Sequence, residues 1–394
     1  MTKPPMFHKA KRARALCAVV GLAGSSLLPQ SAASASGLGL FAPGSVVVSQ
    51  GGTIFGGTNT GAGVELNGDV DVYRSNANGD VAPEASFTNG MYGPTTMVFD
   101  QSGDLWVGNE NTSDLFEFTK AQLGTPNPVP AVTIFAESGA LANPFGMAFD
   151  DSGNLWVVGN NSNRVYEYTK SQLAMSGGPT PHTTISDSPS TPIFGVAFDS
   201  SGDLWVSTVK SVVEFSKAEL AKAKPEPTVT VSSSGGAQLV FDQSGDLWMV
   251  TGGGPDCFGT PCTNKVVELT QAQLSASGSP TPAVTIGSTN DGAAGSLYGP
   301  YSLAFDSSGD LWVENFDNNT TVEFGRDQLS NSGSPTPLRT IVGPRTGMNS
   351  PSYVVIAPRE RSSRRSALGG CCNGGRLCSD LVGIARCAQG FSVW

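Results

Sequence analysis

The sequence predicts an all-β ring of six four-stranded blades, a β-propeller, and three observations predict it. The string Phe-Asp-x-Ser-Gly-(Asp/Asn)-Leu-Trp occurs five times, beginning at Phe99, Phe149, Phe198, Phe241 and Phe305. Its tryptophans, Trp106, Trp156, Trp205, Trp248 and Trp312, follow one another at steps of 50, 49, 43 and 64 residues. A period of this size with strand-like content belongs to propeller blades rather than helical repeats. Finally, each end of the repeat region carries part of a sixth unit, so the ring can close.

The N-terminal segment reads as a secretory leader. Lys9, Lys11, Arg12 and Arg14 form a basic region, Leu16 to Leu28 is apolar, and Ala33-Ser34-Ala35 offers a cleavage site near Ala35. The apolar run is too short to anchor in a bilayer, and Cys17 stands at its start rather than after it, which argues against a lipid anchor. The expectation is a protein that is secreted, periplasmic or on the cell surface, with no membrane insertion. At the other end the pattern stops after Pro358. Residues 359–394 hold six arginines and four cysteines, a composition expected of a disordered tail, with a small disulfide-stapled appendix as the alternative. The domain division is therefore a leader over 1–35, a propeller over 36–358 and a tail over 359–394.

Removing both ends leaves 12 basic against 31 acidic residues in the propeller, a net charge of about −19. Nucleic-acid binding rests on lysine and arginine neutralising phosphates, so this surface argues against nucleic acid and against anionic membranes.

One unit shows how a blade is built. Gly146 to Phe149 is the apolar inner strand a; Asp150-Asp151-Ser152-Gly153-Asn154 is turn chemistry; Leu155 to Val158 is strand b and Val165 to Tyr168 strand c. Thr119-x-x-Gln122, Thr169-x-x-Gln172, Ser216-x-x-Glu219 and Thr270-x-x-Gln273 fit a helix-capping box and predict one helical turn between strands c and d. Val132-Thr133-Ile134, Thr228-Val229-Thr230 and Val284-Thr285-Ile286 are β-branched strands d. The sixth blade is split: Ser350 to Ile356 supplies strand a, while Gly44 to Val48, Val70 to Tyr73 and Ala85 to Phe87 supply strands b, c and d. Such closure removes exposed sheet edges at the joint, and a monomer is expected.

The run Pro144-Phe145-Gly146-Met147-Ala148-Phe149-Asp150, then Gly153-Asn154-Leu155-Trp156-Val157, then Asn161-x-Asn163-Arg164-Val165-Tyr166-Glu167-Tyr168 resembles the NHL repeat. The resemblance covers roughly residues 44–358. It implies the propeller fold, and a surface used for binding as often as for catalysis.

The a–b turns and c–d links share one face and are regular. The b–c and d–a loops share the other, where Thr251 to Lys265 and Gly287 to Gly299 are long. Variation on one side of a rigid scaffold places the functional face there. Cys257 and Cys262 lie in the first of these loops, a spacing that suits a local disulfide in an exported protein better than a redox pair.

The shared register of the five tryptophans points to blade-on-blade packing. The Asp-x-Ser-Gly-Asp turns are too short to supply a calcium ion alone. Only His182 survives leader removal, so neither a multi-histidine zinc site nor a Ser-His-Asp arrangement on the active face is expected. Metal-dependent propeller hydrolases resembling this chain hold calcium near the starts of inner strands. The matching positions here, Thr95 and Thr96, Phe145 and Gly146, Phe194 and Gly195, Ala237 and Gln238, Tyr301 and Ser302, Ser352 and Tyr353, carry no charge. If calcium binds, Asn109, Glu110, Glu314 and Asn315 at the strand-b exits are its ligands. Instead Phe145, Phe194, Tyr301 and Tyr353, with Gln238 and Asn315, either ring a neutral ligand site or plug the channel. The expected function is a non-catalytic binding module without a cofactor, for a protein, peptide or carbohydrate. The alternative is a metal-assisted lyase or hydrolase resembling calcium-dependent lactonases or streptogramin lyases.

Overall fold

The computed structural model describes residues 41–50, 68–135, 141–186, 192–232, 236–251, 264–288 and 297–359. The leader, Cys257, Cys262 and residues 360–394 lie outside them, as do most of the two long loops. Among the described residues no helix is long and apolar enough to cross a membrane. The strands form six antiparallel sheets of four. Blade 1 takes its inner strand from Pro351–Ile356 and the other three from Val46–Gln50, Asp69–Tyr73 and Ala85–Phe87. The inner strands of blades 2 to 6 are Pro94–Phe99, Pro144–Phe149, Ile193–Phe198, Gly236–Phe241 and Pro300–Phe305. Each touches the inner strands of both neighbours, so the ring is closed and the split blade is its joint.

The joint is pinned by a buried polar network. Gln50 Nε2, Tyr73 Oη (3.3 Å) and Ser86 Oγ (2.6 Å) all donate to the Asp71 carboxylate. Tyr73 Oη also reaches the Thr346 carbonyl at 2.6 Å, and Asn349 N donates to Gln50 Oε1 at 2.6 Å. Residues at the two ends of the ring thus share one set of hydrogen bonds, satisfied as burial requires.

Between blades, the packing is aromatic. In blades 3 to 6 the phenylalanine ending the inner strand meets the tryptophan of the preceding blade edge-to-face: Trp106–Phe149, Trp156–Phe198, Trp205–Phe241 and Trp248–Phe305, with ring centroids 6.0–6.2 Å apart. The aspartate that follows ties the turn to the tryptophan of its own blade. Asp199 Oδ1 accepts from Ser201 N and Asp203 N, and Asp199 Oδ2 accepts from Trp205 Nε1 at 3.1 Å. Asp150 and Asp242 repeat this with Trp156 and Trp248. Glycine is needed in this turn because its backbone is left-handed, φ +81° at Gly202.

The capping boxes form as expected over Lys120–Leu123 and Gln271–Leu274. Each glutamine also reaches across its link: Gln122, Gln172, Gln273 and Gln328 Nε2 donate to the carbonyls of Val129, Thr180, Thr281 and Thr336 at 2.7–2.8 Å. In blade 4 the position is Glu219, whose carboxylate cannot donate; it accepts from Glu226 N and pairs with Lys222 instead.

Candidate functional site

Strand a is irregular near its start. In blade 3, Pro144 pairs with Gly159 and Met147 with Val157, so Phe145 and Gly146 together face one residue of strand b. The same register shift follows Ile193, Gly236 and Pro300. A bulge of this kind re-aims side chains, and at these positions Phe145, Phe194 and Tyr301, and Gln238 and Tyr353, meet one another across blades. They are the positions read from the sequence as channel-lining.

The first position forms an aromatic layer. Phe145 of blade 3 meets Phe194 of blade 4 at 5.8 Å and Tyr301 of blade 6 at 5.4 Å; Phe316 adds to the stack at 6.0 Å from Tyr301. Blades 3 and 6 are opposite in the ring, so these rings span the channel. All three are buried, at 3–7% exposure. At the second position Gly146 has no room for a side chain, since a Cβ would lie 2.6 Å from the Phe194 carbonyl oxygen. Blades 5 and 1 fill the space with Gln238 and Tyr353, and Gln238 Nε2 donates to Tyr353 Oη. Burial pushes the Tyr353 phenol up.

Beyond these two layers the channel is open toward the face of the a–b turns. A cavity of about 540 Å³ is walled by the later residues of the inner strands, among them Met97, Met147, Val196, Leu239, Leu303 and Val354, and Gln238 and Tyr353 also line it. Asp100, Gln101, Asp150 and Asp151 stand at its rim. The sequence points to the opposite face, whose longest loops lie largely outside the described residues. Among the described residues the bulge aromatics meet across the channel on the d–a side of this cavity, and the terminal phenylalanines of blades 3 to 6 pack against the neighbouring tryptophans.

The candidate metal residues sit in two blades separated by blade 1. Asn109 Oδ1 accepts from Tyr92 N, and Asn315 Oδ1 from Tyr298 N, each at 3.1 Å, so both amides hold the incoming d–a loop. Asn315 Nδ2 donates to Thr320 Oγ1 at 3.0 Å. Asn315 is thus part of the loop anchor and is not a wall residue of the cavity. Glu110 Oε1 accepts from Asn143 Nδ2 at 3.1 Å. Glu314 is fully buried, and burial followed by the nearby Asp317 raises its carboxyl well above the usual range, which favours the neutral acid.

Two features were not read from the sequence. Phe316 joins the plug from the residue after strand b, and no repeat position marks it. On the d–a face, Gly93, Asn143, Gly299 and Ser350 each precede an inner-strand proline and adopt φ between +53° and +75°. Three of them are stitched to the previous blade: Asn143 N donates to Ser113 Oγ, Gly299 N to Asn264 Oδ1, and Ser350 N to Asn319 Oδ1. The small or amide-bearing residue before each proline is the signal that could have shown this.

No family model matches the chain, and no curated protein matches it in sequence. Solved structures match it in fold. A Bacteroides caccae protein described as of unknown function is 12% identical, over 81% of this chain and 100% of that chain, with a TM-score of 0.51. A putative 6-phosphogluconolactonase from Bacteroides uniformis is 12% identical over 74% and 81%, with a TM-score of 0.48. A streptogramin B lyase is 12% identical over 64% and 70%, with a TM-score of 0.43. At such identities the likeness is one of β-propeller fold, and the NHL resemblance rests on its motifs.

Proposed function

We propose that this chain is an exported binding module whose ligand enters the central cavity from the face of the a–b turns. One observation carries the reading: among the described residues, Phe145, Phe194 and Tyr301 meet across the channel, and beyond them toward the a–b turns lies a cavity of about 540 Å³ with an apolar wall. Its size is that of a small-molecule pocket, and its few polar groups would orient a guest. The Gln238 carbonyl accepts and the Tyr353 phenol donates, which suits an uncharged, largely apolar or aromatic group, such as a peptide side chain or the aglycone of a glycoside. Two of the three rim carboxylates already serve their turns, and the reading assigns them no catalysis. Asp100 Oδ1 and Asp150 Oδ1 each accept two backbone N–H groups of their own loop.

The test is thermal unfolding of the full chain against a panel of uncharged aromatic glycosides and aromatic peptides, with separate arms in calcium and in EDTA. Binding to the folded state adds about 2.7 kcal/mol at a hundredfold excess over Kd. The proposal expects one ligand class to raise Tm, and Gln238→Leu with Tyr353→Phe to weaken that rise. A shift with calcium alone would overturn it in favour of the metal-assisted reading.

A further inference from the structure

The outer strand of a blade has a free edge, and an unpaired edge is a template for another extended chain. In this ring the next blade's c–d link covers that edge. In blade 2, Thr133 N donates to Ser176 Oγ, Gly177 N donates to the Thr133 carbonyl, and Phe135 N donates to the Gly177 carbonyl, each at 3.0 Å. Ser277 and Gly278 do the same for Thr230 and Ser232 of blade 4, and Ser332 and Gly333 for Thr285 and Gly287 of blade 5. Asn78 and Gly79 do it for Thr340 and Val342 of blade 6. The four links run parallel to the strands they cover. Blade 1 is covered by Asn127, whose Oδ1 accepts from Thr88 N and Asn89 N.

Blade 3 is the exception. Its outer strand, Thr183–Ser186, pairs inward with Arg164–Glu167, and Thr184 and Ser186 are exposed. By the alternation seen in the other blades, the Thr184 N–H and carbonyl and the Ser186 N–H point outward. Among the described residues none of these three groups has a partner. The sequence explains the gap. The link of blade 4 has Lys222-Ala223-Lys224 where its counterparts have Ser-Gly, it is one residue shorter than that of blade 3, and Glu219 cannot make the glutamine staple.

We propose that this edge of blade 3 is a strand-addition site for an acidic, extended segment of a partner polypeptide. The four filled edges define what fits: a serine or asparagine, whose side chain accepts from Thr184 N, followed by a residue whose N–H and carbonyl meet the Thr184 carbonyl and Ser186 N. Main-chain pairing of this kind supplies affinity, and flanking contacts supply specificity. A Cβ at Gly177, Gly278 or Gly333 would touch nothing within 4 Å, so the second residue need not be glycine but cannot be proline. The acidic character follows from the basic groups at the edge. Arg164 is exposed and opposite Ser186, and Lys224 is exposed on the link that takes the capping place, where Lys222 is already paired with Glu219. Half of the propeller's 12 basic residues lie between Arg164 and Lys224. A second copy pairing edge to edge would set these cations against each other.

The experiment titrates the full chain with a fluorescein-labelled peptide, Asp-Glu-Ala-Ser-Gly-Ser-Pro-Thr-Pro, and with the same peptide carrying N-methylglycine for glycine. Ser186→Pro removes an N–H that the blade does not use, and Lys224→Glu reverses one flanking charge. The proposal expects saturable binding that weakens tenfold or more with the N-methyl peptide and with Ser186→Pro, and several-fold with Lys224→Glu. Equal binding of the two peptides, or none, would overturn it. So would a dimer in sedimentation that Ser186→Pro dissolves, which would make the occupant a second copy. Should Ser186→Pro lose its folded circular-dichroism signature, the pair of peptides still decides.

Discussion

Phe145 and Tyr301 meet edge-to-face at 5.4 Å although they belong to opposite blades of the ring. A contact between opposite inner strands fills the axis and braces the ring across its diameter. Truncating one of these rings therefore removes both buried area and a strut. Phe145→Ala is expected to cost about 3–5 kcal/mol, as for a core aromatic, in equilibrium denaturation of the full chain. Tyr92→Ala, at an aromatic that is 48% exposed, should stay within about 0.5 kcal/mol. Similar losses for the two would remove the bracing role.

The turn aspartates are not equivalent. Asp199 accepts two turn N–H groups and the Trp205 indole, whereas the Trp106 indole nitrogen in blade 2 is buried without a partner beside an otherwise equal Asp100 turn. Asp199→Ala should thus destabilise by more than Asp100→Ala, the excess being one hydrogen bond to a buried donor, about 1–2 kcal/mol. Urea midpoints of the two variants measure it, and equal midpoints would show that the indole bond contributes nothing.

The propeller's acidity has a consequence for pH. Asp69 is raised to about 7 by burial and by Asp71, Glu117 to about 7 by burial and by Asp104 and Asp100, and Glu268 to about 7 by burial and by Asp246 and Asp242. Each folded group holds its proton where the unfolded chain has already lost it. The stabilisation is complete below the unfolded values and is lost as pH climbs through about 7. The chain should be more stable at about pH 5 than at about pH 8, and Glu117→Gln with Glu268→Gln should flatten that slope. A slope unchanged in the double variant would place the titration elsewhere.

Ring closure predicts its own sensitivity. Asp71 accepts from Gln50, Tyr73 and Ser86, and Tyr73 also holds the Thr346 carbonyl of the returning chain. Asp71→Ala leaves buried donors unmet and should cost about 2–3 kcal/mol, while Asp71→Asn, which keeps an acceptor oxygen, should cost less. Denaturation curves of the two variants separate these outcomes.

Much of this fold was legible because a propeller writes itself periodically. The Phe-Asp turn and the Leu-Trp strand recur, and the orphan strand at Pro351–Ile356 could only complete the orphan strands at Val46 and Asp69. The channel positions were also legible, since the bulge falls at one place in each repeat. What those positions do together was not. Phe145 and Tyr301 are far apart in sequence, and which rings meet across the axis depends on which second positions are glycine, as at 146 and 195, and which are filled, as at 238 and 353, a choice that varies from blade to blade. The face a ligand would use was not legible for a related reason. Loop length points to the d–a side, whereas the cavity among the described residues lies toward the a–b turns, and no repeat position decides between them. The bare edge of blade 3 is a departure from the repeat, visible only once the other blades show what normally covers it.

Which mouth of the channel admits a ligand decides the proposed function. The direct measurement is a fluorescence titration of the full chain with N-phenyl-1-naphthylamine, an uncharged aromatic probe, comparing Gln238→Trp, which fills the cavity floor, with Tyr298→Ala on the opposite face. The cavity of about 540 Å³ predicts saturable binding that Gln238→Trp abolishes and Tyr298→Ala leaves intact, with both variants folded by near-ultraviolet circular dichroism. Binding that survives Gln238→Trp and is lost in Tyr298→Ala would contradict it and return the site to the d–a face.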